Sequence, residues 1–349
     1  MTPPPTPAPP AKALNHRGLP MDSYKGGKST LCQGCGHDAI TASIVKVLWE
    51  SGVEPHLVAK MSGIGCSSKT TAYFSGGSWA VNAVHGRMPS VATGALVANR
   101  SLLPIGVSGD GDTASIGMGQ FVHALRRNVP LLYIVENNGV YGLTKGQFSA
   151  TADIGSRLKS GDVNPYEAID LCTLAIELGC GFVARGFAAD KRQLDGLLHA
   201  ALAYRGTAVV DVVSPCVTFN NHEGSTRSYD WGREREKPVV EVGFVPAWEI
   251  PEVDIPEGEA RSVDMPDGSR VVIRKLEPGF DTSDPAAAWM RLREARTKRE
   301  FLTGLFHLRT GHPTLDETLD LVDEPLVSLP PERLRPSKAA LDEVMESLK

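Results

Sequence analysis

The sequence PIGVSGDGDTASIGMGQFVHALRRNVPLLYIVENNGV, residues 104–140, alternates apolar strands with a helical pattern. Pro104 to Ser108 and Leu131 to Val135 have strand length and carry mainly apolar side chains, while Thr113 to Asn128 places its apolar residues on one side of a helix. Strands that are apolar on both faces and separated by helices are typical of a parallel sheet covered on both sides. We therefore predict an α/β fold, a parallel sheet with helices on both faces joined by right-handed crossovers.

The same alternation extends on both sides of this segment and defines three regions. We expect one α/β domain over residues 21–236. Residues 1–20 are predicted to be a disordered tail, because six of the first ten residues are proline and offer nothing to bury. Residues 237–349 are predicted to be a C-terminal extension that packs on the core or on a partner subunit. Within it we expect a helix from Pro285 to about Phe306, with Asp284 as its N-cap.

The composition argues against several classes of protein. The 349 residues contain 36 Lys and Arg against 41 Asp and Glu, a net charge of −5, which argues against binding nucleic acid or an anionic membrane. No apolar run reaches the roughly 18 residues of a membrane-spanning helix, and the N-terminus lacks the regions of a secretory signal. Six cysteines without an export signal indicate a reducing compartment, so we predict a cytoplasmic protein whose paired cysteines are metal, cluster or redox ligands rather than disulfides.

A loop with two carboxylates follows the first quoted strand. Gly109, Asp110, Gly111 and Asp112 lead into a helix, where glycines allow close approach of the backbone to a ligand and the helix N-terminus attracts an anion. Two carboxylates would repel a phosphate unless a divalent cation lay between them, so the loop indicates a diphosphate bridged by Mg²⁺. Two alternatives remain at this point: a purely structural turn, and a dinucleotide fingerprint, which lacks its usual acidic residue about 20 positions further on.

The next strand supplies another oxygen ligand. Asn138 lies 28 positions after Asp110. Because that interval spans one helix and one strand, both residues are expected at the carboxyl edge of adjacent parallel strands, where open α/β sheets bind ligands. A carboxylate, an amide oxygen and a backbone carbonyl, with two diphosphate oxygens and a water, complete octahedral coordination of Mg²⁺. The GDG sequence followed by asparagine at this interval resembles the thiamine-diphosphate motif.

Four of the six cysteines lie in loops that contain Gly or Pro, where their thiolates can converge. They are Cys32, Cys35, Cys66 and Cys216. By spacing alone the four fit either a tetrahedral Zn²⁺ site or a [4Fe–4S] cluster. Cys172 and Cys180 instead fall within or beside an apolar helical pattern, so both are predicted to be buried structural thiols.

Six motifs resemble those of the β-subunit of 2-oxoacid:ferredoxin oxidoreductases and occur in that family's order. They are CQGCGH (Cys32 to His37), GIGCSSK (Gly63 to Lys69), HGRMPSVATG (His85 to Gly94), GDGD (Gly109 to Asp112), VYGLTKGQ (Val140 to Gln147) and SPC (Ser214 to Cys216). They fall within roughly 200 residues, and the extension after Lys237 carries none of them. One departure is Gln33, where the family often has proline, at a position that is not a ligand.

This resemblance implies a thiamine-diphosphate-binding fold and an active site that needs residues from two subunits. It implies that one [4Fe–4S] cluster is held near the thiamine by Cys32, Cys35, Cys66 and Cys216. In the family the acyl group passes to coenzyme A, the electrons pass to ferredoxin, and the α-subunit supplies the glutamate that activates the cofactor. The chain is therefore expected to be inactive alone and to form an αβ pair, doubled to (αβ)₂. Residues 214–229, SPCVTFNNHEGSTRSY, are similar to the branch that acts on 2-oxoglutarate, which favours that substrate over pyruvate.

The resemblance also assigns roles to single residues of the motifs. Mg²⁺ is expected on the side chains of Asp110 and Asn138 and on the carbonyl of Val140. The residues expected to bind thiamine diphosphate are Ile64, Gly65, Ser67, His85, Gly109, Asp110, Gly111, Asp112, Asn138, Val140, Gly142 and Leu143. Three cations for a diphosphate or substrate carboxylate, and a histidine for proton transfer, are the predicted catalytic residues: Lys69, Arg87, Lys145 and His85. His37 is interpreted as structural, and Glu136 receives no role because we expect it to face the wrong end of the cofactor.

Other functions stay open at this level. One is a thiamine enzyme without redox chemistry that carries Zn²⁺ on the four loop cysteines, and another is a pyruvate-acting β-subunit. A third is a non-catalytic interaction subunit with a vestigial loop. The last is disfavoured because Asp110, Asn138 and all four loop cysteines are intact.

Overall fold

The computed structural model describes residues 13–158, 160–223, 225–245, 260–264, 270–275, 277 and 280–349. Residues 1–12 of the predicted tail lie outside these ranges. Leu14 pairs with Pro20 in an isolated bridge, and the Asn15 amide donates to the Trp49 carbonyl at 2.9 Å, which anchors the chain before the first helix. Among the described residues, no helix combines the length and apolar character needed to span a membrane.

The main sheet is built from strands that are mostly parallel. The strands in chain order are β1 (Val58–Ser62), β2 (Trp79–Asn82), β3 (Leu103–Gly109), β4 (Leu131–Asn137), β5 (Val140–Tyr141), β6 (Gln147–Phe148), β7 (Phe182–Phe187), β8 (Thr207–Val213), β9 (Glu236–Pro238), β10 (Val240–Val245), β11 (Ala260–Asp264), β12 (Arg270–Lys275) and β13 (Phe301–Leu308). Within the described ranges, the main sheet has the order β2-β1-β3-β4-β8-β7-β13-β9. The first six strands of this order run parallel, whereas β13 pairs antiparallel with β7. A separate antiparallel sheet joins β10, β12 and β11, and β5 pairs with β6.

Helices connect and cover these strands. In chain order they are α1 (Gly36–Glu50), α2 (Met88–Ala98), α3 (Met118–Arg126), α4 (Leu171–Glu177), α5 (Lys191–Ala203), α6 (Tyr229–Arg235), α7 (Pro285–Lys298), α8 (Leu315–Thr318), α9 (Pro331–Leu334) and α10 (Lys338–Ser347). Helix α1 packs against α5, and α2 packs against α3. Every residue of β1, β4 and β8 is buried, so both faces of the sheet are covered. The predicted α/β fold is confirmed.

The C-terminal region corrects one prediction. Helix α7 has the expected N-cap, Asp284, but it ends at Lys298 rather than near Phe306. Arg299 adopts the left-handed region with φ of 54° and terminates the helix. The following residues form β13, which is buried along its whole length beside β7. A strand buried on both faces has no alternation of its own, so the sequence pattern did not separate it from the helix that precedes it.

The helix after the GDGD loop also departs from a regular α-helix. Asp112–Ile116 forms a π-helical turn, and α3 begins only at Met118. Single π-turns are rare and occur frequently at functional sites, because the wider turn redirects the side chains at its start. Here the turn places Asp112 within reach of the loops that follow β1 and β2.

Replacing Phe306 by alanine is expected to destabilise the domain strongly. Its side chain is fully buried on β13, with the Arg185 guanidinium 5.9 Å from the ring centroid. Loss of the ring removes apolar contacts and leaves a cavity, so urea unfolding should show a loss of about 3–5 kcal/mol in the free energy of unfolding. Val327→Ala is the control, since Val327 is 93% exposed and should change stability by less than about 0.5 kcal/mol. Similar losses in both variants would contradict a core role for β13.

Candidate active site

A cleft opens at the carboxyl edge of β1, β3 and β4, where the loops after these strands converge. It encloses about 480 Å³, open mouth included. Its walls are formed by His37, Ile64, Gly65, Cys66, Ser67, His85, Gly109, Asp110, Gly111, Asp112, Glu136, Asn138, Val140, Tyr141, Gly142, Leu143 and Thr144. This is the edge at which open α/β sheets place their ligands.

The structure brings most of the predicted site residues to this cleft. All twelve residues expected to bind thiamine diphosphate line it, as does Cys66. Among the predicted catalytic residues only His85 lines the cleft. Lys69, Arg87 and Lys145 are not among its lining residues, and the last two are exposed. The binding and catalytic roles of all these residues stay predictions.

Some wall residues were missed by the sequence reasoning. Tyr141 and Thr144 received no role, His37 was interpreted as structural, and Glu136 was set aside, yet all four line the cleft. A signal for Glu136 was present in the sequence. It lies on β4 one residue before the strand ends at Asn137, so it is expected near the same sheet edge as Asn138.

The Asp110 carboxylate is buried at the centre of the cleft floor. It accepts hydrogen bonds from the backbone N–H groups of Asn138 at 3.3 Å and Gly139 at 3.1 Å. The hydroxyls of Ser149 and Thr151 contact Oδ2 as well, the latter at 2.6 Å. Burial raises the pKa of Asp110, and these hydrogen bonds act in the opposite direction. The carboxylate therefore ties the end of β3 to the loop after β4, as predicted from the 28-residue interval.

A buried polar network extends from Asp110 into the sheet. Thr151 Oγ1 also lies 3.0 Å from Asn137 Oδ1, and Asn137 Nδ2 donates to Asp211 on β8 at 2.9 Å. Arg185 on β7 donates to Asp211 at 2.9 Å. Because these contacts join the loop at Thr151 to β4, β4 to β8 and β8 to β7, the network holds the strands beside the cleft together.

A second carboxylate, Asp112, connects three loops. Its Oδ1 accepts the backbone N–H of Gly86 at 2.7 Å and of Ile64 at 3.3 Å, and it contacts His85 Nδ1. Its Oδ2 accepts the Ser108 hydroxyl at 2.7 Å. The loops after β1, β2 and β3 are thus gathered around one buried carboxylate, and the His85 ring contacts it at the cleft.

Asn138 and Val140 meet at the same point of the cleft. Asn138 Oδ1 accepts the Val140 N–H at 3.1 Å, and the backbone carbonyl of Asn138 accepts the Asn220 amide at 2.7 Å. Between them Gly139 has φ of 73°, in the left-handed region, so the chain reverses immediately after β4. Asp110, Asn138 and Val140 all line the cleft, and their carboxylate, amide and backbone carbonyl oxygens are hard donors.

Two of the loop cysteines, Cys66 and Cys216, lie close to Gly142, and Cys35 directly precedes α1. A Cβ atom on Gly142 would lie 3.4 Å from Cys66 Sγ and 3.7 Å from Cys216 Sγ, so both sulfurs face the same point. Cys35 N–H donates to the Cys32 carbonyl at 3.0 Å in the CxxC turn. The turn touches the Cys216 loop, where the Gly36 N–H donates to the Pro215 carbonyl at 3.3 Å.

The thiols are close enough to influence one another's charge. Burial raises the pKa of Cys35 to about 12, with further contributions from Glu136, Cys216 and Cys66. Burial also raises the pKa of Cys66, and the Cys216 and Cys32 thiols add to this effect. In the part of the chain that the structure describes, no group of three or more His, Cys, Asp or Glu side chains is arranged to hold a metal ion. Ligation by the four cysteines therefore stays a prediction.

The other two cysteines are buried. Cys172 and Cys180 are 0% and 2% exposed, and the Cys180 thiol contacts the Thr207 carbonyl at 3.1 Å. Burial raises the pKa of both thiols, that of Cys180 to about 12. Their predicted burial is confirmed.

Comparison with known proteins identifies the family. The model described as "Thiamine pyrophosphate enzyme, C-terminal TPP binding domain" matches residues 63–212, which supply most of the cleft. The 2-oxoacid:ferredoxin oxidoreductase subunit beta of Saccharolobus solfataricus is 39% identical over 259 residues, covering 72% of this chain and 78% of that protein. The chain belongs to this β-subunit family. The predicted family is confirmed, and the chain is a subunit of a 2-oxoacid:ferredoxin oxidoreductase.

Two further relatives of this β-subunit carry 2-oxoglutarate in their names. The 2-oxoglutarate oxidoreductase subunit KorB of Mycobacterium tuberculosis is 37% identical over 194 residues, covering 54% of this chain and 51% of that protein. A solved 2-oxoglutarate:ferredoxin oxidoreductase from Magnetococcus marinus, with 2-oxoglutarate, coenzyme A and succinyl-CoA bound, superposes with a TM-score of 0.73 at 29% identity. That superposition covers 96% of this chain and 99% of the other, so it includes the C-terminal region as well as the cleft.

Replacing Gly63 by alanine is expected to displace the Asp112 carboxylate, which joins the loops after β1, β2 and β3. A Cβ atom there would lie 2.0 Å from Asp112 Oδ2, and the hydrogen bonds on Asp112 prevent it from moving freely. Gly63→Ala should therefore lower the free energy of unfolding by about 1–3 kcal/mol.

The matched control for this change is Gly94→Ala on α2. No atom lies within 4 Å of a Cβ atom at Gly94, and alanine has the higher helix propensity. This variant should be neutral or stabilised by up to about 1 kcal/mol in urea unfolding. The Asp112 arrangement would be contradicted if Gly63→Ala were as stable as Gly94→Ala.

Proposed function

We propose that this β-subunit, together with an α-subunit, catalyses the coenzyme A-dependent oxidative decarboxylation of 2-oxoglutarate to succinyl-CoA. Electrons would leave through a [4Fe–4S] cluster to ferredoxin. The observation that carries the proposal is the shared wall at Gly142. Gly142 lines the cleft that contains Asp110 and Asn138. A Cβ atom at Gly142 would lie within 4 Å of the sulfurs of Cys66 and Cys216.

The cleft residues fit a diphosphate held through Mg²⁺. Asp110, Asn138 and Val140 would bind the cation by carboxylate, amide oxygen and backbone carbonyl, the hard ligands that Mg²⁺ prefers. The amide oxygen has two lone pairs, of which the Val140 N–H occupies one. Thiamine diphosphate, when bound, supplies the carbanion that attacks the 2-keto carbon and takes up electrons as CO₂ leaves. His85, oriented by Asp112, would hold or donate a proton at the cleft wall.

The cysteine group fits a cluster ligand set. The four thiols come from three separate loops, of which the Cys66 loop lines the cleft. Burial raises the pKa of Cys66, and the positive charge of Lys69 acts in the opposite direction. Thiolates are the ligands of iron–sulfur clusters, and the Thr218 hydroxyl already donates to Cys32 Sγ at 3.3 Å. Such hydrogen bonds to sulfur tune the reduction potential of a cluster.

The residues around the mouth of the cleft favour the binding of a partner subunit. Apolar side chains at or next to the cleft residues are exposed, among them Ile64, Leu143, Val84 and Ile116. Exposed apolar side chains clustered around a functional cleft indicate a protein interface. We propose that the α-subunit covers this mouth and supplies the glutamate that activates the thiamine, and that two αβ pairs form an (αβ)₂ assembly.

The substrate assignment is supported by the relatives. The M. tuberculosis relative is named for 2-oxoglutarate, and the solved M. marinus enzyme contains 2-oxoglutarate and coenzyme A. Residues 214–229 are similar to the same branch. These observations favour 2-oxoglutarate over pyruvate as the substrate of this β-subunit.

The test uses the chain coproduced with its α-subunit and purified without oxygen. Incubation with 2-oxoglutarate, coenzyme A and an oxidised viologen dye should give succinyl-CoA in step with dye reduction. The complex should contain about four iron atoms per β-subunit, and the chain alone should show no turnover. Faster turnover with pyruvate would assign the pyruvate alternative, whereas bound zinc without iron, and CO₂ release without dye reduction, would indicate the non-redox class.

Cys66→Ala is expected to remove the cluster and to leave thiamine diphosphate binding intact. Loss of one of four thiolate ligands should abolish iron binding and dye reduction, because the cluster needs all four cysteines. Thiamine diphosphate binding should persist, measured by calorimetry on the complex. Cys180→Ala is the control, since this thiol is buried beside β8 rather than in the loops and should leave the iron content unchanged. Iron retained in Cys66→Ala would contradict the assignment.

A further inference from the structure

Four buried polar side chains form a continuous line beside the cleft. Thr70, Glu136, His37 and Asn138 are 0%, 0%, 1% and 5% exposed, and they come from the turn after β1, from β4, from α1 and from the loop after β4. The proposed function uses Asn138 alone. Buried polar groups are rarely placed without partners, so the other three require an explanation.

The contacts along this line are short. Thr70 Oγ1 lies 2.9 and 3.1 Å from the two Glu136 oxygens, to which it donates. His37 Nδ1 lies 3.1 Å from Glu136 Oε2, off the direction of a linear hydrogen bond. At the other side of the ring, His37 Nε2 lies 3.4 Å from Asn138 Nδ2. The imidazole therefore bridges a carboxyl group and an amide.

The tautomer of His37 follows from the amide orientation. Asn138 Oδ1 accepts the Val140 N–H at 3.1 Å, so the NH₂ group is the end that faces the ring. An NH₂ group needs an acceptor, which places the lone pair on His37 Nε2 and the proton on Nδ1. The protonated Nδ1 then lies on the side of the ring that contacts Glu136 Oε2 at 3.1 Å.

We infer that Glu136 and His37 are positioning residues that fix the Asn138 side-chain amide in the orientation needed to bind a divalent cation. With the NH₂ group held by His37 Nε2, the amide oxygen stays beside Val140 with one lone pair free. A flipped amide would present N–H groups to the cation and repel it. The inference rests on the proposed magnesium and thiamine-diphosphate site and adds the residues that orient one of its ligands.

Two amide substitutions at His37, which differ by one methylene group, distinguish orientation from packing. The side-chain amide of glutamine reaches the position of Nε2, where it can accept from Asn138, whereas that of asparagine reaches only the position of Nδ1. His37→Asn should weaken Mg²⁺ binding by about 10- to 100-fold, the usual effect of losing a group that orients a metal ligand. His37→Gln should bind Mg²⁺ at least about tenfold more tightly than His37→Asn.

The measurement is Mg²⁺ titration of the αβ complex by calorimetry at saturating thiamine diphosphate. Iron content is determined in parallel, because His37 lies two residues after Cys35. We expect equal iron in both variants, which would separate the effect from loss of the cysteine group. His123→Asn, an exposed histidine on α3, is the control and should bind Mg²⁺ as the wild type does.

The possible outcomes separate this inference from the proposed function. Equal Mg²⁺ affinities for His37→Asn and His37→Gln, whether weakened or unchanged, would overturn the positioning role. If His37→Asn does not assemble with the α-subunit, Thr70→Val tests the inference instead. This substitution removes the hydroxyl that donates to Glu136 and leaves the shape of the side chain at position 70 nearly unchanged. It should weaken Mg²⁺ binding severalfold, and an unchanged affinity would overturn the inference. Absence of magnesium-dependent thiamine diphosphate binding in the wild type would overturn the proposed function and this inference with it.

Discussion

The burial of the Asp110 carboxylate is the constraint on which the cleft depends. A buried carboxylate is costly unless hydrogen-bond donors surround it, and here the donors come from two backbone N–H groups and two hydroxyls beyond β4. Satisfying the side chain that directly follows β3 therefore fixes the course of the chain from Asn138 to Thr151. The polar network through Asn137, Asp211 and Arg185 continues this restraint across β8 and β7. A rigid sheet edge is the result, and ligands placed there need no rearrangement of the strands.

A glycine lies where the cleft approaches two of the cysteine sulfurs. Gly142 lines the cleft, and any side chain added to it would meet the sulfurs of Cys66 and Cys216. A Cβ atom at this point would lie at van der Waals distance from both sulfurs, so the Gly142 backbone and the two thiols are close neighbours. Gly142 follows the left-handed turn at Gly139, so Gly139 sets the direction of the loop and Gly142 brings its backbone close to the two sulfurs.

The sequence predicted the site better than it predicted the C-terminal fold. The GDGD loop and Asn138 were expected together because parallel strands place their carboxyl ends at one edge, and Asn138 N–H indeed donates to Asp110. His37 was interpreted as structural despite its place in the CQGCGH motif, and Glu136 received no role, because the contacts that join them to Asn138 come from three separate elements. Strand β13 was missed for a different reason. A strand that is buried on both faces has no alternating pattern, and its antiparallel partner β7 lies more than a hundred residues earlier.

The late position of β13 has a consequence for biosynthesis. Strand β7 has β8 on one side and β13 on the other, but the ribosome reaches residue 308 well after it has completed β8 at residue 213. At roughly 5–20 residues per second, the nascent chain presents an unpaired edge of β7 for about 5–20 s. Unpaired strand edges promote aggregation of partly folded chains. Binding of a chaperone to the nascent chain is therefore most useful during this interval.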